Sequence, residues 1–393
     1  MASMRSRRRS RLVTLALCVT ASALIASACG SESSSAGGDG SQTYKIGYIG
    51  PNTGSAAVAG QPLLEGVEFA VEEINETGFL GENVELELLV EDDAGDPAKA
   101  ISAWDELVDE DVSAVICCGL SSVAGALKPK VMSGDTPAVI SSAILPGLPE
   151  PPKMYRTALL LADPAYEQLI GAWAEANPDA RTAMIGITAD SDGMVHDGEV
   201  WKEALEEHGI EVVGEVATNT GDTDFAGPAT QVIDKNPDLF IANMLSNEAT
   251  LMIKTLRERG FENEIFSTYG LSSAGNYEVG GAALDGVVFP QAFAPESTVP
   301  EAQAFTRAYE QKTGKTPDVY AAQGYTAVYF IAQAIKDAGG DPADVATALS
   351  KITEMDSVYG PISFEDGQAV LAGEAIMLQW NADGTQSVWD PDA

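Results

Sequence analysis

The segment Gly119-Leu120-Ser121-Ser122 is the part of this 393-residue chain whose residue types and spacing point most directly to chemistry. It follows a strand-like run, Ser113 to Cys117, and opens a helical pattern, Ser122 to Met132. Backbone N–H groups at a helix start lack intrahelical partners, and with two adjacent hydroxyls they make a compact receptor for a negative oxygen. The same serines also suit plain helix capping, so the residues alone leave both roles open. A second polar corner, Ser141-Ser142-Ala143-Ile144, follows the strand-like run Pro137 to Ile140. In an open α/β sheet such corners lie at the carboxyl ends of the strands, where ligands bind.

Other candidates carry less. Asp190-Ser191-Asp192-Gly193-Met194 begins like a calcium loop, but its third acid is missing and Trp201 stands where the closing Glu is required. Cleft lining or a simple strand-to-helix turn is the expectation there, with no metal. The two histidines, His196 and His208, are not at metal spacing, and His208 sits where a helix would end. No nucleophile elbow or phosphate loop occurs, so neither an enzyme nor a cofactor is expected. Cys117 and Cys118 are neighbours, which on an extended strand point to opposite faces; they are expected to be unbonded, buried small hydrophobes.

The elements that must position these corners read as an alternation of short apolar and longer amphipathic runs, the pattern of stacked βα units and a parallel sheet. Strands are predicted over Tyr44 to Ile49, Val84 to Val90, Ser113 to Cys117 and Pro137 to Ile140. The pattern restarts with Ala183 to Ile187, Val212 to Ala217, Leu239 to Leu245 and Ile265 to Thr268. Two similar three-layer α/β/α lobes with mostly parallel sheets follow, joined by three hinge crossings. These are placed at Tyr155-Arg156-Thr157, Phe289-Pro290-Gln291 and Gly360-Pro361-Ile362. Residues 44–157 and 290–361 form lobe 1, and residues 158–289 and 362–393 form lobe 2, the last with a hairpin around Glu365-Asp366-Gly367.

Charge narrows the function classes. The chain has 22 Lys+Arg against 59 Asp+Glu, a net charge of −37. Such a field repels nucleic acid and anionic lipid alike, so neither is an expected partner. Residues 1–28 read as an export signal: a basic run from Arg5 to Arg11, an apolar stretch from Leu12 to Ile25, then small residues before Cys29. Ala28-Cys29, preceded by Leu24-Ile25, resembles a bacterial lipoprotein box. Ala26-Ser27-Ala28 also suits an ordinary secretory cut, but the Ser- and Gly-rich tether of residues 29–43 favours lipid attachment at Cys29, expected as the chain's one membrane contact, over plain secretion. Removal of the signal takes five Arg and no acid, leaving 17 basic and 59 acidic residues, a net charge of −42.

From Lys45 to about Trp389 the chain resembles the leucine/isoleucine/valine-binding protein family, of the type I periplasmic-binding-protein fold. The similarity rests on Ile46-Gly47-Tyr48-Ile49-Gly50-Pro51 with Thr53-Gly54, Gly66 to Asn75 leading to Gly78, Glu91 to Pro97, and Tyr155-Arg156-Thr157. Asp224-Phe225, Gly324 to Tyr329 and Gly360 to Phe364 continue it. The resemblance implies an exported solute-binding protein that captures a small carboxylate-bearing ligand, a branched-chain or other amphipathic amino acid, for ABC permease subunits. It implies that Ser121, with Leu120 and Ser122 beside it, holds the ligand carboxylate, opposite Ser142, Ala143 and Ile144. Ile144 stands where the family commonly has a Thr. In the second lobe Tyr269-Gly270 takes the place of the acid and Gly that meet the ligand ammonium; Leu245, Ala59 and Tyr320 complete the implied lining. Losing that acid makes a branched or aromatic carboxylic acid the rival ligand. A ligand-sensing receptor subunit is the rival role.

Overall fold

The computed structural model describes residues 41–391, so the expected signal, Cys29 and most of the tether lie outside the described residues. In chain order the first lobe opens with β1 (Gln42–Gly50), α1 (Ala57–Thr77), β2 (Val84–Asp92) and α2 (Pro97–Asp109). It continues with β3 (Val115–Cys117), α3 (Ser121–Ser133), β4 (Ala138–Ile140) and β5 (Met154–Arg156). The second lobe runs through α4 (Ala162–Ala176), β6 (Thr182–Thr188), α5 (Asp192–Glu207), β7 (Glu211–Thr218), α6 (Ala226–Lys235) and β8 (Leu239–Asn243). Then come α7 (Ser246–Glu258), β9 (Glu264–Ser267), α8 (Ala274–Gly280) and β10 (Val288–Gln291). Three helices follow, α9 (Pro300–Thr313), α10 (Val319–Ala338) and α11 (Pro342–Leu349). The chain ends with β11 (Glu354–Ser357), β12 (Gly360–Glu365), β13 (Gln368–Leu371), β14 (Ile376–Trp380) and β15 (Gln386–Val388).

Two sheets organise these elements, in the orders β11-β12-β13-β5-β4-β3-β1-β2 and β15-β14-β10-β9-β8-β6-β7. Strand periodicity explains how each sheet is covered on both faces. In β1, Ile46 and Tyr48 enter a core with α1, α10 and α11, including Leu63, Val67, Phe330 and Leu349. Ile49 points the other way, toward Trp104 of α2 and Leu127 of α3. The second sheet divides likewise: Phe266 and Ile241 pack with Trp173 and Trp201 of α4 and α5, while Phe240 and Ile265 pack with Val232 and Ile253 of α6 and α7. β3 and β4 are buried throughout, as interior parallel strands must be.

The late helices return to the first lobe, and close packing fixes α10 on α1. A Cβ on Gly66 would stand 2.1 Å from the Ala321 carbonyl oxygen, and one on Gly324 would stand 2.2 Å from that of Leu63. Only hydrogen at these two positions lets the backbones come this near.

Four expectations need correction. The hairpin around Glu365-Asp366-Gly367 does not join the second lobe: β12 pairs with β13, and β13 lies parallel to β5 in the first sheet. The chain therefore re-enters the second sheet only at β14, and Gly360-Pro361-Ile362 is not a crossing. Likewise β10 keeps Pro290 and Gln291 in the second sheet, so that crossing falls after Gln291. Cys117 and Cys118 form a disulfide rather than two free thiols. The strand ends at Cys117, and Cys118 adopts φ 74°, so the alternation that would separate the two side chains no longer applies. Helix α4 belongs to none of the sequence-derived segments, although its buried Tyr166, Leu169, Ile170 and Trp173 have helical spacing.

Candidate functional site

A narrow cleft with about 50 Å³ of free space lies between the carboxyl ends of the two sheets. Leu120 and Ser121 face it from the exit of β3, and Ser142, Ala143 and Ile144 from the exit of β4. Leu245 follows β8 and Tyr269-Gly270 follow β9, while Ala59 and Tyr320 reach it from α1 and α10. Ten of the eleven expected lining residues are thus brought together. Ser122 is the exception: consecutive helical residues point about 100° apart, so with Ser121 turned to the cleft Ser122 turns away.

Four helices begin at this cleft, α1, α3, α5 and α7, and none has a side-chain cap on its first turn. Their partial positive ends converge on one space, although in α1 the Ala57 and Ala59 N–H groups are already paired with the carbonyls of Gly54 and Ala56. Among the described residues no Lys, Arg or His lines it, so the groups there that can meet an anion are backbone N–H dipoles and hydroxyls. Ser121 is set up as a donor. Its Oγ accepts from the Leu145 N–H at 3.2 Å, which leaves its own O–H to give to a ligand oxygen.

The lobes meet across the cleft through two phenols. Tyr269 donates to the Ser142 carbonyl at 2.9 Å, and the Tyr320 and Ser246 hydroxyls lie 2.9 Å apart. Burial raises the pKa of both tyrosines, so each is a neutral hydrogen-bonding group at ordinary pH. Gly193, at the start of α5, abuts the first lobe so closely that an added Cβ would stand 2.6 Å from Ser121 Oγ.

Several lining residues were missed in the sequence. Ser55, Ala56 and Val58 precede or open α1, Ser246 and Asn247 open α7, and Thr268 precedes Tyr269, while Ser191 and Met194 line the cleft from the loop for which cleft lining was one expectation. They lie at or just beyond strand ends, so the sheet-edge rule applied to every strand would have found them. The chemically important omission is Glu248. Its carboxylate is almost wholly buried and lines the cleft, with Oε1 accepting from the Gly221 N–H at 2.6 Å. Burial, with Asp190 and Asp222 nearby, raises its pKa, and the Gly221 N–H opposes that shift.

A sequence profile of the periplasmic binding protein family matches residues 43–385. The chain belongs to this family. The binding protein is 26% identical over 342 residues to the Leu/Ile/Val-binding protein BraC3 of Rhizobium johnstonii, covering 86% of this chain and 91% of that one. It superposes on the leucine-binding protein LivK of Thermotoga maritima with a TM-score of 0.78 at 25% identity, covering 88% of this chain and 98% of that one. It also shares its fold with a solute-binding protein of an ABC transporter from Rhodopseudomonas palustris solved with 3,4-dihydroxybenzoic acid. That TM-score is 0.75 at 23% identity, covering 86% and 93%. The lobes with mostly parallel sheets are those of the type I periplasmic binding proteins. Among the described residues no helix is long and apolar enough to cross a membrane.

Proposed function

We propose that this protein is the extracytoplasmic substrate-binding component of an ABC importer and that it captures a small amphipathic amino acid, with a branched-chain residue as the reference ligand. The observation that carries the reading is the pairing of opposite recognition chemistries in one cleft. The ligand carboxylate goes to the Ser121 hydroxyl and the open turns of α3 and α5, and its ammonium to Glu248. Tyr269 removes the acid the family offers at that position, and Glu248 restores a carboxylate from the neighbouring strand end. Ala59, Val58, Leu245, Met194 and Ile144 supply apolar lining for the side chain. Cys29 is the proposed lipid attachment and residues 29–43 the tether that lets the two lobes reach a permease.

The second reading is a carboxylic acid without an ammonium, which the neutral phenol of Tyr269 favours. Calorimetry on the processed protein with leucine, isoleucine, valine, benzoate and 4-methylpentanoate separates the two. Tight binding of an amino acid with negligible binding of the matched acid is the expected result; the reverse order establishes the second reading, and silence from the whole panel removes the carboxylate reading.

A further inference from the structure

Arg156 ends β5 and is fully buried. Its Nη2 donates to the Leu145 carbonyl, but Nε and Nη1 have no hydrogen-bond partner, and no carboxylate forms an ion pair with it among the described residues. Burial lowers its pKa only to about 10, so it remains a cation at neutral pH. A guanidinium taken out of water without an anion is costly, and a chain with 59 acidic residues has no shortage of partners to offer it. The position of the charge explains its isolation. Leu145, held by Arg156 through its carbonyl, gives its N–H to Ser121 Oγ, and Tyr269 of the cleft lies within electrostatic reach of the guanidinium.

We propose that Arg156 is the buried counter-charge for the ligand carboxylate, acting through Leu145 and the Ser121 hydroxyl without touching the ligand. The inference rests on the carboxylate reading of the cleft. By fixing the Leu145 carbonyl, Arg156 aims the Leu145 N–H at Ser121; that occupies an acceptor site on Oγ and turns the hydroxyl proton toward the cleft. Its own positive field, little screened in the interior, then falls on the anion the hydroxyl receives. Arg156 is thus a positioning residue whose missing ion-pair partner arrives with the ligand.

A double-mutant cycle on the processed protein tests this, with leucine and benzoate as probes in calorimetry. Arg156→Gln is expected to weaken the probe that binds by about tenfold or more, and Arg156→Lys by less, because it keeps the charge. In a Ser121→Ala background Arg156→Gln should cost less than half as much, since both changes break one chain of contacts. Additive losses, or a Gln variant that binds like the wild type, overturn the proposal. Should the Gln variant fail to fold, the Arg156 Nε–H resonance of the wild type gives the answer: it shifts when the probe binds if the inference holds, and staying put overturns it. Failure of the wild type to bind either probe sinks the carboxylate reading itself, whereas wild-type binding with unaffected variants sinks only the role of Arg156.

Discussion

Glu248 shows how much one side chain can decide. Its Oε1 is already committed to the Gly221 N–H, so Glu248→Gln keeps an acceptor there and changes chiefly the charge. An ammonium that loses a charged partner gives up about 1.5–3 kcal/mol, and a plain carboxylate gains or loses little. Competition calorimetry of Glu248→Gln should therefore narrow the preference for leucine over 4-methylpentanoate by about tenfold or more. An unchanged ranking would place the ammonium elsewhere. The place of Ser121 at the cleft was legible because it follows a buried strand and opens a helix, but its proposed ligand role came from the family resemblance, since the same residue suits plain capping. Glu248 was not, because an acid in the first turn of a helix is ordinary capping chemistry until the fold turns that turn toward a ligand. Arg156 was visible only as part of Tyr155-Arg156-Thr157, a hinge segment that also carries the family resemblance, since nothing in a sequence reveals that a buried charge lacks its partner.

At the scale of elements, most strands and helices were readable from periodicity, and the errors came where pairing over long range decides. β12 and β13 are short, partly exposed strands whose own residues do not say which sheet they join; the parallel step from β13 to Arg156 of β5 does. The contact between α5 and α3 is likewise a matter of distance. A Cβ at Gly193 would stand 2.6 Å from Ser121 Oγ and 2.7 Å from Ile144 Cγ1, atoms of the opposite lobe. Gly193→Ala should leave each lobe intact, and with it the melting temperature without ligand, yet prevent full closure. Ligand affinity should fall about tenfold or more and small-angle scattering should show no compaction on adding ligand. A variant that still compacts and binds normally would mean that the lobes yield at this contact. The turn after β2 gives a pH prediction. Asp93 is fully buried, with Oδ1 on the Gly95 N–H and Oδ2 unpartnered, and burial raises its pKa to about 6. A raised carboxyl pKa means that its contribution to stability is present in full below pH ~4 and is lost as pH rises through 6. Asp93→Asn should remove that loss, so thermal melts between pH 4 and 7 should fall less steeply for the variant than for the wild type. Parallel curves would assign the slope to other groups.

The whole molecule sets a problem that its site must solve. The chain has a net charge of −37, and its proposed ligand presents a carboxylate. Over distances longer than a Debye length of about 10 Å at 0.1 M salt, the surface repels a net anion; inside the closed cleft, the proposed site would attract it through open helix ends, Ser121 and the field of Arg156. The two ranges respond differently to ionic strength, because salt screens exposed charges and scarcely reaches buried ones. A zwitterionic amino acid has no net charge and should bind with nearly the same on-rate from 10 to 200 mM NaCl. Benzoate has a net charge of −1, and its association with the same protein should accelerate several-fold over that range. Stopped-flow fluorescence with each ligand reads the difference directly, using Tyr269 and Tyr320 at the lobe contact as the reporters of closure. If association of benzoate slowed as salt was added, an exposed cationic patch would have to be steering it. The cleft would then draw its ligand in by surface charge, rather than by the helix ends and hydroxyls that line it.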